Sequence, residues 1–471
     1  MHIQDALADW SARSGPLYAR LSTALTAAIE RGDIPPGTVL PPERSLAKRL
    51  AIGRSTVMHA YARLREAGIL ETRQGSGSWV TGGQRTGNGE APRESLPVAA
   101  LRNPAALVDL ATAALPAHRR LRDAVAALGV ADPDTAVALD TPGYHPAGLP
   151  ALRAALADRL TTQGLPTAAD QVLVTTGDQQ GLSLLAAHAL PDREPAIVEA
   201  PTSPGILDVL HGLSVPLRGA PPVTAGGDEL PALVDRIRPG LVYLVPTLGP
   251  LGRVLRVGDR RRLATALAER DTLVVDDVSQ AGLVFEQAPP PLAAYAESDN
   301  LLTVGSLSKL HWGGLRLGWV RGPAPLVAAL ARAKARADLG TPVLDQVLAT
   351  RLLGAEDEVR AERVAELRDR LAHAAATLTA SLPEFRWTPP EGGLSLWLQL
   401  PAGTATAFSE VATRFGVAVV PGGVLSPRGL SDDHVRVVYA RPPEVFDEGV
   451  HRLAAAWARY RHSGDDQPVL L

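Results

Sequence analysis

The feature that most constrains the fold is a change of pattern near residue 81. From Thr81 to about Ala105 the sequence is polar and broken, with TGGQRTGNGEAPRES at its centre and no hydrophobic period. Segments of this composition connect domains. The chain of 471 residues is therefore predicted to contain an N-terminal domain over residues 1–80, a linker over 81–105 and a larger domain over 106–471.

The first 80 residues have the pattern of a small helical domain that ends in a β-hairpin. Apolar residues recur every four positions between 17 and 29, which predicts a helix with one apolar face. A short second helix is expected at 46–50 and a third at 54–67. Two strands, 69–72 and 78–80, flank the glycine-rich turn RQGSG.

Beyond residue 108, apolar strand-like runs alternate with helical segments. The runs are Gln171–Thr175, Ala196–Glu199, Leu241–Pro246, Leu273–Val275 and Leu301–Gly305. This alternation predicts an α/β sheet with parallel strands. From about Pro323, a long helix through Ala355 to Leu382, followed by GGLSLWLQL and VRVVYA, indicates a smaller α+β lobe.

Composition excludes several classes of chemistry and location. The chain has no cysteine, so disulfides, thiolate metal sites and cysteine nucleophiles are excluded. No apolar run approaches the roughly 20 residues needed to cross a bilayer, and the N-terminus lacks the basic and apolar regions of a signal peptide. We therefore expect a cytoplasmic protein with no membrane partner.

The charged residues are distributed unevenly. Residues 1–85 carry 11 Lys+Arg against 7 Asp+Glu, whereas the whole chain has a net charge of −3. A basic N-terminal end suits a nucleic-acid partner, although a solvated basic surface gives the same count. Of the 47 basic residues only Lys48, Lys309 and Lys334 are lysine. A lysine kept inside the Ser/Gly-rich segment TVGSLSKLHWGGLRLGW therefore points to a role that needs an amine.

The order of helix, short helix, tight turn, helix and glycine-tipped hairpin is that of a winged helix-turn-helix, whose third helix enters a major groove. Arg44 opens the second helix, and Arg54, Ser55 and Thr56 open the third, where they can reach phosphates and base edges. Helix capping or solvation is the alternative for the two arginines.

The stretch LPPERSLAKRLAIGRSTVMHAYARLREAGILETRQGSGSWV resembles the GntR-family DNA-binding domain. The resemblance implies contacts with double-stranded DNA at Arg44, Arg54, Ser55, Thr56 and the wing positions Gln74 and Gly75.

Lys309 follows an apolar strand and stands beside small residues that leave room for a planar ligand. Asp276 lies in the strand LVVDD, 33 residues before the lysine, and Arg316 stands seven residues after the lysine. Pyridoxal 5'-phosphate (PLP) needs an amine for its aldehyde, a carboxylate for its pyridine nitrogen, and cationic and N–H donors for its phosphate. These three side chains match that set.

A second segment matches the phosphate of the same cofactor. Thr176 and Gly177 lie in a turn that follows a strand and opens a helix, so their N–H groups are placed to hold a phosphate. Ser306 and Ser308 add hydroxyl donors beside the lysine.

Together with GYHPAGLPALRAALA and VEAPTSPG, these segments resemble fold-type I aminotransferases from about Val108 to the C-terminus. The fused arrangement is similar to the MocR subfamily of GntR regulators. The resemblance implies a homodimer, a large mixed-sheet α/β lobe and a smaller C-terminal α+β lobe.

The same resemblance implies a PLP aldimine on Lys309, Asp276 as the pyridine partner and Arg316 as a phosphate ligand. It further implies that Arg436 clamps the carboxylate of an effector; a surface ion pair is the alternative for that arginine.

Four positions depart from the family pattern. Ser203 replaces an aromatic residue that stacks on the ring, Gly249 replaces an asparagine, and Val278 or Ser279 replaces a tyrosine. Asp178 puts a carboxylate in the proposed phosphate turn, which costs binding free energy unless the side chain points away. Lost stacking and hydrogen bonds of about 1 kcal/mol each weaken the affinity for the cofactor.

Three functions follow from these observations. The leading one is a DNA-binding transcriptional regulator that senses PLP itself or an amine or amino acid. The second is an active PLP-dependent aminotransferase, which the missing ring contacts disfavour. The third is a regulator whose degenerate cofactor domain acts only as a dimerisation scaffold.

Overall fold

The computed structural model describes residues 16–30, 34, 38–50, 52–66, 69–73, 77–80, 107–129, 132–223 and 229–465. The chain forms two compact units, Met1–Glu94 and Ser95–Leu471. The linker proposed over 81–105 lies outside the described residues, and so do Gln74 and Gly75. The limits predicted for the domains therefore stay a prediction.

The N-terminal unit is three helices with a small antiparallel sheet. Its elements are α1 Leu17–Glu30, β1 Val39–Leu40, α2 Glu43–Leu50, α3 Arg54–Glu66, β2 Leu70–Arg73 and β3 Gly77–Val80. The sheet order is β1-β3-β2, so Val39–Leu40 adds a strand that the sequence reading did not include. Leu21 and Leu25 of α1, Leu46 of α2, and Val57 and Leu64 of α3 share one buried core. The apolar faces of all three helices thus meet, as the hydrophobic period predicts.

The C-terminal unit alternates strands and helices. Its helices are α4 Arg119–Ala126, α5 Pro133–Leu139, α6 Pro150–Thr162, α7 Gly177–Ala189, α8 Pro204–Gly212, α9 Glu229–Ile237, α10 Val257–Ala268, α11 Ala324–Asp338, α12 Val343–Gly354, α13 Glu356–Ser381, α14 Ala405–Arg414 and α15 Pro443–Asp465. Its strands are β4 Val108–Asp109, β5 Val172–Thr175, β6 Ala196–Glu199, β7 Leu217–Ala220, β8 Leu241–Leu244, β9 Thr247–Leu248, β10 Arg253–Val254, β11 Leu273–Asp277, β12 Leu301–Ser306, β13 Gly318–Arg321, β14 Ser395–Gln399, β15 Val417–Ala418, β16 Val420–Pro421 and β17 His434–Val438.

The central sheet has seven strands in the order β5-β13-β12-β11-β8-β6-β7. Strands β7, β6, β8, β11 and β12 run parallel, whereas β13 is antiparallel to both of its neighbours. The all-parallel sheet expected from the alternation is therefore corrected to a mixed one, as the family resemblance implied. The reason is local: β13 follows β12 after a short connection, which is too short for the helical crossover that a parallel neighbour requires.

Helices cover both faces of this sheet. Tyr243 and Val275 face the layer that contains Leu182 of α7. Their sequence neighbours Val242 and Val274 face the opposite layer with α9 and α10. Because successive side chains of a strand point to opposite faces, each strand contributes alternately to the two layers.

The smaller lobe is built on the antiparallel sheet β14-β17-β16, with β4 and β15 paired beside it. The long helix expected up to Leu382 is confirmed as α13. A single core joins Val359 of α13, Leu396 of β14 and Val437 of β17. This packing holds β17, and with it Arg436, against the segment that follows β4.

Candidate functional site

Three of the four described DNA-contact candidates are on the surface of the N-terminal unit. Arg44 in α2 and Arg54 and Ser55 in α3 are exposed, and Thr56 is half-buried. Glu43 lies beside this surface, with its carboxylate oxygens 3.6 Å from Arg54 Nη2 and 3.8 Å from Arg65 Nη2. One carboxylate thus holds two arginines of α3 near the start of α2.

Two other exposed residues of α3 are not marked by any sequence motif. Met58 is 42% exposed and His59 is exposed as well. His59 Nδ1 lies 2.8 Å from the carbonyl oxygen of Ser55, and its ring centroid lies 5.8 Å from that of Tyr18 in α1. His59 is therefore tied to its own unit, whereas the thioether of Met58 lies on the surface of the helix.

Lys309 lies in the C-terminal unit just after β12. Its Nζ donates to the carbonyl oxygen of Ala113 at 3.0 Å. Arg436 Nη2 donates to the carbonyl oxygen of Ala111 at 2.7 Å. The segment 111–113, which no sequence motif marked, therefore joins the lysine of the large lobe to the arginine of the small lobe.

The charges around Lys309 identify the other members of the site. Burial lowers the pKa of Lys309; the carboxylates of Asp178 and Asp277 act in the opposite direction, and Arg436 and Arg316 act with burial. A lowered pKa increases the fraction of neutral amine, which is the form that attacks a carbonyl carbon. The structure thus brings Lys309, Arg316 and Arg436 together, as the sequence predicted, and adds two carboxylates.

The turn before α7 is shaped to receive Arg316. Gly177 has a φ of +72°, and a Cβ at this position would lie 2.7 Å from Arg316 Nη2. Any other residue would therefore displace the guanidinium. Arg316 itself adopts the left-handed conformation, and its Nη2 donates to the carbonyl oxygen of Thr176 at 3.5 Å. The positive φ favours glycine here, and the absence of a Cβ leaves room for the guanidinium in this position.

The two serines near Lys309 differ in their contacts. Ser306 Oγ donates to the carbonyl oxygen of Leu317 at 3.3 Å and accepts from Ser308 N at 3.1 Å. Ser308 Oγ is buried and has no hydrogen-bond partner in the part of the chain that the structure describes. A buried hydroxyl without a partner next to the lysine indicates a polar ligand.

The structure corrects the choice of carboxylate for the pyridine nitrogen. Asp276 faces the α9–α10 layer, where its Oδ2 accepts a hydrogen bond from Leu292 N at 2.7 Å. Burial raises the pKa of Asp276, and the charge of Arg260 lowers it in part. Asp277 faces the α7 layer and interacts with Lys309. The two aspartates are one residue apart, so strand alternation puts only one on the Lys309 side. Asp277 replaces Asp276 in the candidate site.

Asp178 points into the site. Its Oδ2 accepts from Ser279 Oγ at 3.4 Å, while Ser279 N donates to Asp277 Oδ1 at 2.8 Å. One serine thus bridges two carboxylates. Burial raises the pKa of Asp277 to about 6, and the charge of Asp178 adds to the rise.

The positions that depart from the family pattern have specific partners in the structure. Tyr243 Oη donates to Asp277 Oδ2 and also interacts with the hydroxyl of Ser203. Ser203 and Ser279 are therefore close to Asp277. Gly249 instead lines a cavity together with Glu199, and Lys309 is not among the residues that line it.

Arg436 is half-buried in β17. Burial lowers its pKa to about 10, so it stays charged at neutral pH. Its Nε is buried without a partner among the residues described. A charged guanidinium with an unsatisfied N–H suits an anionic group, such as a carboxylate, next to the amine of Lys309.

These residues fit the aldehyde end and the ring of PLP. Lys309 would supply the amine, Asp277 the carboxylate for the ring nitrogen, and Ser308 an unsatisfied hydroxyl. Arg316, which lies against Gly177, would hold the phosphate end. Asp178 adds a negative charge at this same end.

Family comparisons match both units. Residues 17–80 match the family described as bacterial regulatory proteins, gntR family. Residues 121–453 match aminotransferase class I and II. The chain belongs to the MocR subfamily of GntR-type regulators. A MocR-type regulator joins a DNA-binding unit to an aminotransferase-like unit, which is the organisation described above.

Relatives of this MocR-type chain include regulators and transaminases. It is 29% identical over 486 residues to the HTH-type transcriptional regulator TauR of Rhodobacter capsulatus, covering 94% of this chain and 96% of the relative. It is 33% identical over 328 residues to a 2-aminoadipate transaminase of Thermus thermophilus, covering 67% of this chain and 80% of the relative. The regulator aligns with both units, whereas the transaminase aligns with two thirds of the chain.

Among solved structures, the alpha-aminoadipate aminotransferase of Thermus thermophilus superimposes with a TM-score of 0.70 at 29% identity. The match covers 79% of this chain and 96% of that protein, which was crystallised with N-(5'-phosphopyridoxyl)-L-leucine. The C-terminal unit of this MocR-type regulator therefore has the fold-type I aminotransferase fold. Within the described residues, no helix is long and apolar enough to span a membrane.

Proposed function

We propose that this MocR-type regulator binds double-stranded DNA through α2 and α3 and binds PLP through Lys309. Occupancy of the Lys309 site, by PLP itself or by PLP that has reacted with an amine or amino acid, changes the affinity for DNA. The proposal includes the domain limits 1–80, 81–105 and 106–471, a homodimer, and action in the cytoplasm.

The observation that carries the proposal is the environment of Lys309. A half-buried amine with a lowered pKa lies among Asp277, Arg316 and Arg436. This amine would hold PLP covalently through the aldehyde, by a condensation that releases water and needs no oxidant or reductant. When bound, PLP supplies an electrophilic carbon that an amine ligand can attack.

Each remaining residue has a definite task in this proposal. Asp277 holds the ring nitrogen in its protonated form, and Arg316 lies where a phosphate oxygen would bind. Ser308 Oγ and the N–H group of Gly177 donate hydrogen bonds at the same end. Ser306 Oγ and Thr176 N, which were also predicted to donate there, already donate to Leu317 O and Gln180 Oε1. Arg436 binds the carboxylate of an amino-acid effector.

On the DNA side, Arg44 and Arg54 bind phosphates or guanine, and Ser55 and Thr56 donate to phosphates or base edges. Gln74 and Gly75 contact DNA from the wing. Two such units in a homodimer read two half-sites.

A DNA-binding measurement tests the proposal. A duplex is first selected from a random pool with the full-length protein, and its affinity is measured by fluorescence anisotropy with and without PLP. We expect PLP to change the affinity of the wild type by at least about threefold and to leave Lys309→Ala unchanged. Equal affinities for the wild type with and without PLP would refute the sensing role.

The same samples separate the other two functions. If no visible absorbance of bound PLP develops in the wild type, the C-terminal unit is a dimerisation scaffold. If amino donors give continuous formation of keto acid, the chain is an aminotransferase, as the similarity to a transaminase suggests.

A further inference from the structure

We propose that Asp178 supplies, within the Lys309 site, the negative charge that a ligand phosphate would otherwise bring. The site then accepts a pyridoxal-type aldehyde almost irrespective of whether it carries a phosphate. This inference rests on the proposed reaction of Lys309 with such an aldehyde.

The orientation of Asp178 is the first support. Its Oδ2 is held by the hydroxyl of Ser279, and after burial its charge has the largest effect on the pKa of Lys309. It also contributes to the raised pKa values of Asp277 and Tyr243. The carboxylate therefore faces the lysine and does not point away into solvent.

The start of α7 is the second support, because two of the N–H groups there already have side-chain partners. Gln179 N donates to Asp178 Oδ1 at 3.0 Å. Thr176 N donates to Gln180 Oε1 at 2.8 Å. Helix starts favour anions through these N–H groups and the helix dipole. Here two of the N–H groups bind side chains of the helix itself, one of which is the carboxylate of Asp178.

The balance of charge is the third support. Three cations interact at the site, namely Lys309, Arg316 and Arg436, and they face the carboxylates of Asp277 and Asp178. Asp277 is assigned to the ring nitrogen, so Asp178 offsets a positive charge that a phosphate would use. Like charges at short range in a site with little water repel strongly. A phosphate group therefore adds little to the binding free energy of a ligand at this position.

The test compares two aldehydes with the same ring. PLP and 5'-deoxypyridoxal differ in the phosphate, and the latter cannot form the internal hemiacetal that pyridoxal forms. Each is titrated into the full-length protein, the adduct is fixed with borohydride, and the fraction of modified Lys309 is measured by peptide mass spectrometry. The ratio of the two affinities is an internal control for folding, since both are measured on the same variant.

We expect the wild type to prefer PLP by no more than about tenfold, which corresponds to one modest interaction. Asp178→Ser removes the charge and introduces a hydroxyl, and Asp178→Asn removes the charge at constant size; both should raise the preference for PLP by at least about tenfold. A preference above about 100-fold in the wild type, or an unchanged ratio in both variants, would overturn the inference. If neither aldehyde modifies Lys309, the proposed function fails, and this inference fails with it.

A separate observation concerns the DNA-binding unit, and from it we infer that Met58 contacts the 5-methyl group of a thymine. On α3, Val57 and Tyr61 are buried in the core, whereas Met58 lies one turn after the exposed Arg54 and shares its face. Met58 is one of only two methionines in the chain, the other being Met1. On the exposed face of α3 this apolar side chain stands among the polar residues Arg54, Ser55 and His59.

The chemistry of the major groove indicates which group of a base pair Met58 would contact. The thymine methyl group is the apolar feature that base pairs display there. Methionine is unbranched and polarisable, so it adapts to such a small target. His59, which is also exposed, is less free to do so because it is held by Ser55 and Tyr18.

Replacing thymine by deoxyuridine removes only the methyl group and tests this contact. Each thymine of the selected duplex is replaced in turn, and binding is measured for the wild type and for Met58→Ala. At one thymine in each half-site we expect a loss of about three- to tenfold for the wild type and no further loss for Met58→Ala. The inference would be overturned if replacing thymine by deoxyuridine does not weaken binding of the wild type. It would also be overturned if the replacement weakens binding of Met58→Ala as much as that of the wild type. If no duplex can be selected, DNA binding itself is refuted.

Discussion

Asp276 and Asp277 are consecutive residues of β11, and their carboxylates lie on opposite faces of the central sheet. Asp277 accepts hydrogen bonds from Tyr243 and Ser279 on the side of Lys309. Asp276 accepts from Leu292 N on the other side, near Arg260. The separation follows from the alternation of side chains along a strand. It decides which of the two carboxylates is available to a cofactor.

The first prediction compares Asp277→Asn with Asp276→Asn. We expect the first substitution to weaken the affinity for PLP by at least about tenfold, because an amide does not stabilise a protonated ring nitrogen. Asp276→Asn is the matched control, and we expect its affinity to stay within about threefold of the wild type. The measurement is a titration followed by visible absorbance. If Asp276→Asn weakens the affinity for PLP more than Asp277→Asn does, Asp276 is the partner of the ring nitrogen.

The second prediction concerns the pH dependence of Lys309 modification. Asp178 raises the pKa of the lysine and Arg436 lowers it. Asp178→Asn should therefore shift the rate profile toward lower pH, since the amine loses its proton earlier, and Arg436→Gln should shift it toward higher pH. The initial rate of reaction with 5'-deoxypyridoxal is measured across pH for both variants. Shifts in the same direction would contradict the described arrangement of charges.

The third prediction concerns acid stability. Burial, followed by the charges of Arg159, His118 and Arg363, lowers the pKa of His311 to about 4. The unfolded chain takes up this proton near pH 6.5, so the free energy of unfolding falls as the pH decreases from 6.5 to 4. Replacement by Leu should remove this loss, which is roughly 3 kcal/mol in total.

Urea unfolding of wild type and His311→Leu across this pH range provides the measurement. The variant should gain stability relative to the wild type as the pH decreases, whatever its stability at pH 7.5. A difference that does not change with pH would show that His311 is protonated in the folded state as easily as in the unfolded state.

The fourth prediction concerns DNA affinity. Arg44 is exposed at the start of α2, where we expect a contact with a phosphate. Arg44→Ala should weaken binding to selected and random duplexes by similar factors and reduce the slope of log affinity against log salt by about one. Anisotropy at several salt concentrations measures both. A loss limited to the selected duplex would assign Arg44 to a base instead.

Much of the architecture follows from sequence patterns that have a direct physical cause. The hydrophobic periods of α1 and α3 predict their buried faces. Arg316 is found on Gly177 because the glycine leaves space for it. These features depend on local patterns or on the shared edge of one sheet.

Other features depend on information that local sequence does not contain. The sequence LVVDD has two adjacent aspartates, and the register of β11 with its neighbours decides which one faces Lys309. The carbonyl groups of residues 111–113 bind Lys309 and Arg436, but a carbonyl group has no sequence signature. The bridge from Ser279 to Asp178 joins residues 101 positions apart. The exposure of Met58 became evident only from the packing of α3 against α1 and α2.

The most direct test of the central claim is the location of a borohydride-stabilised adduct. The chain has three lysines: Lys48 is exposed, and Lys334 is buried with its Nζ 2.7 Å from Asp338. The full-length protein is incubated with PLP, reduced, digested and mapped by mass spectrometry. The account predicts that the added mass lies on Lys309 and is absent from Lys309→Ala. Label on Lys48 or Lys334 with Lys309 unmodified, or no label at all, would contradict it.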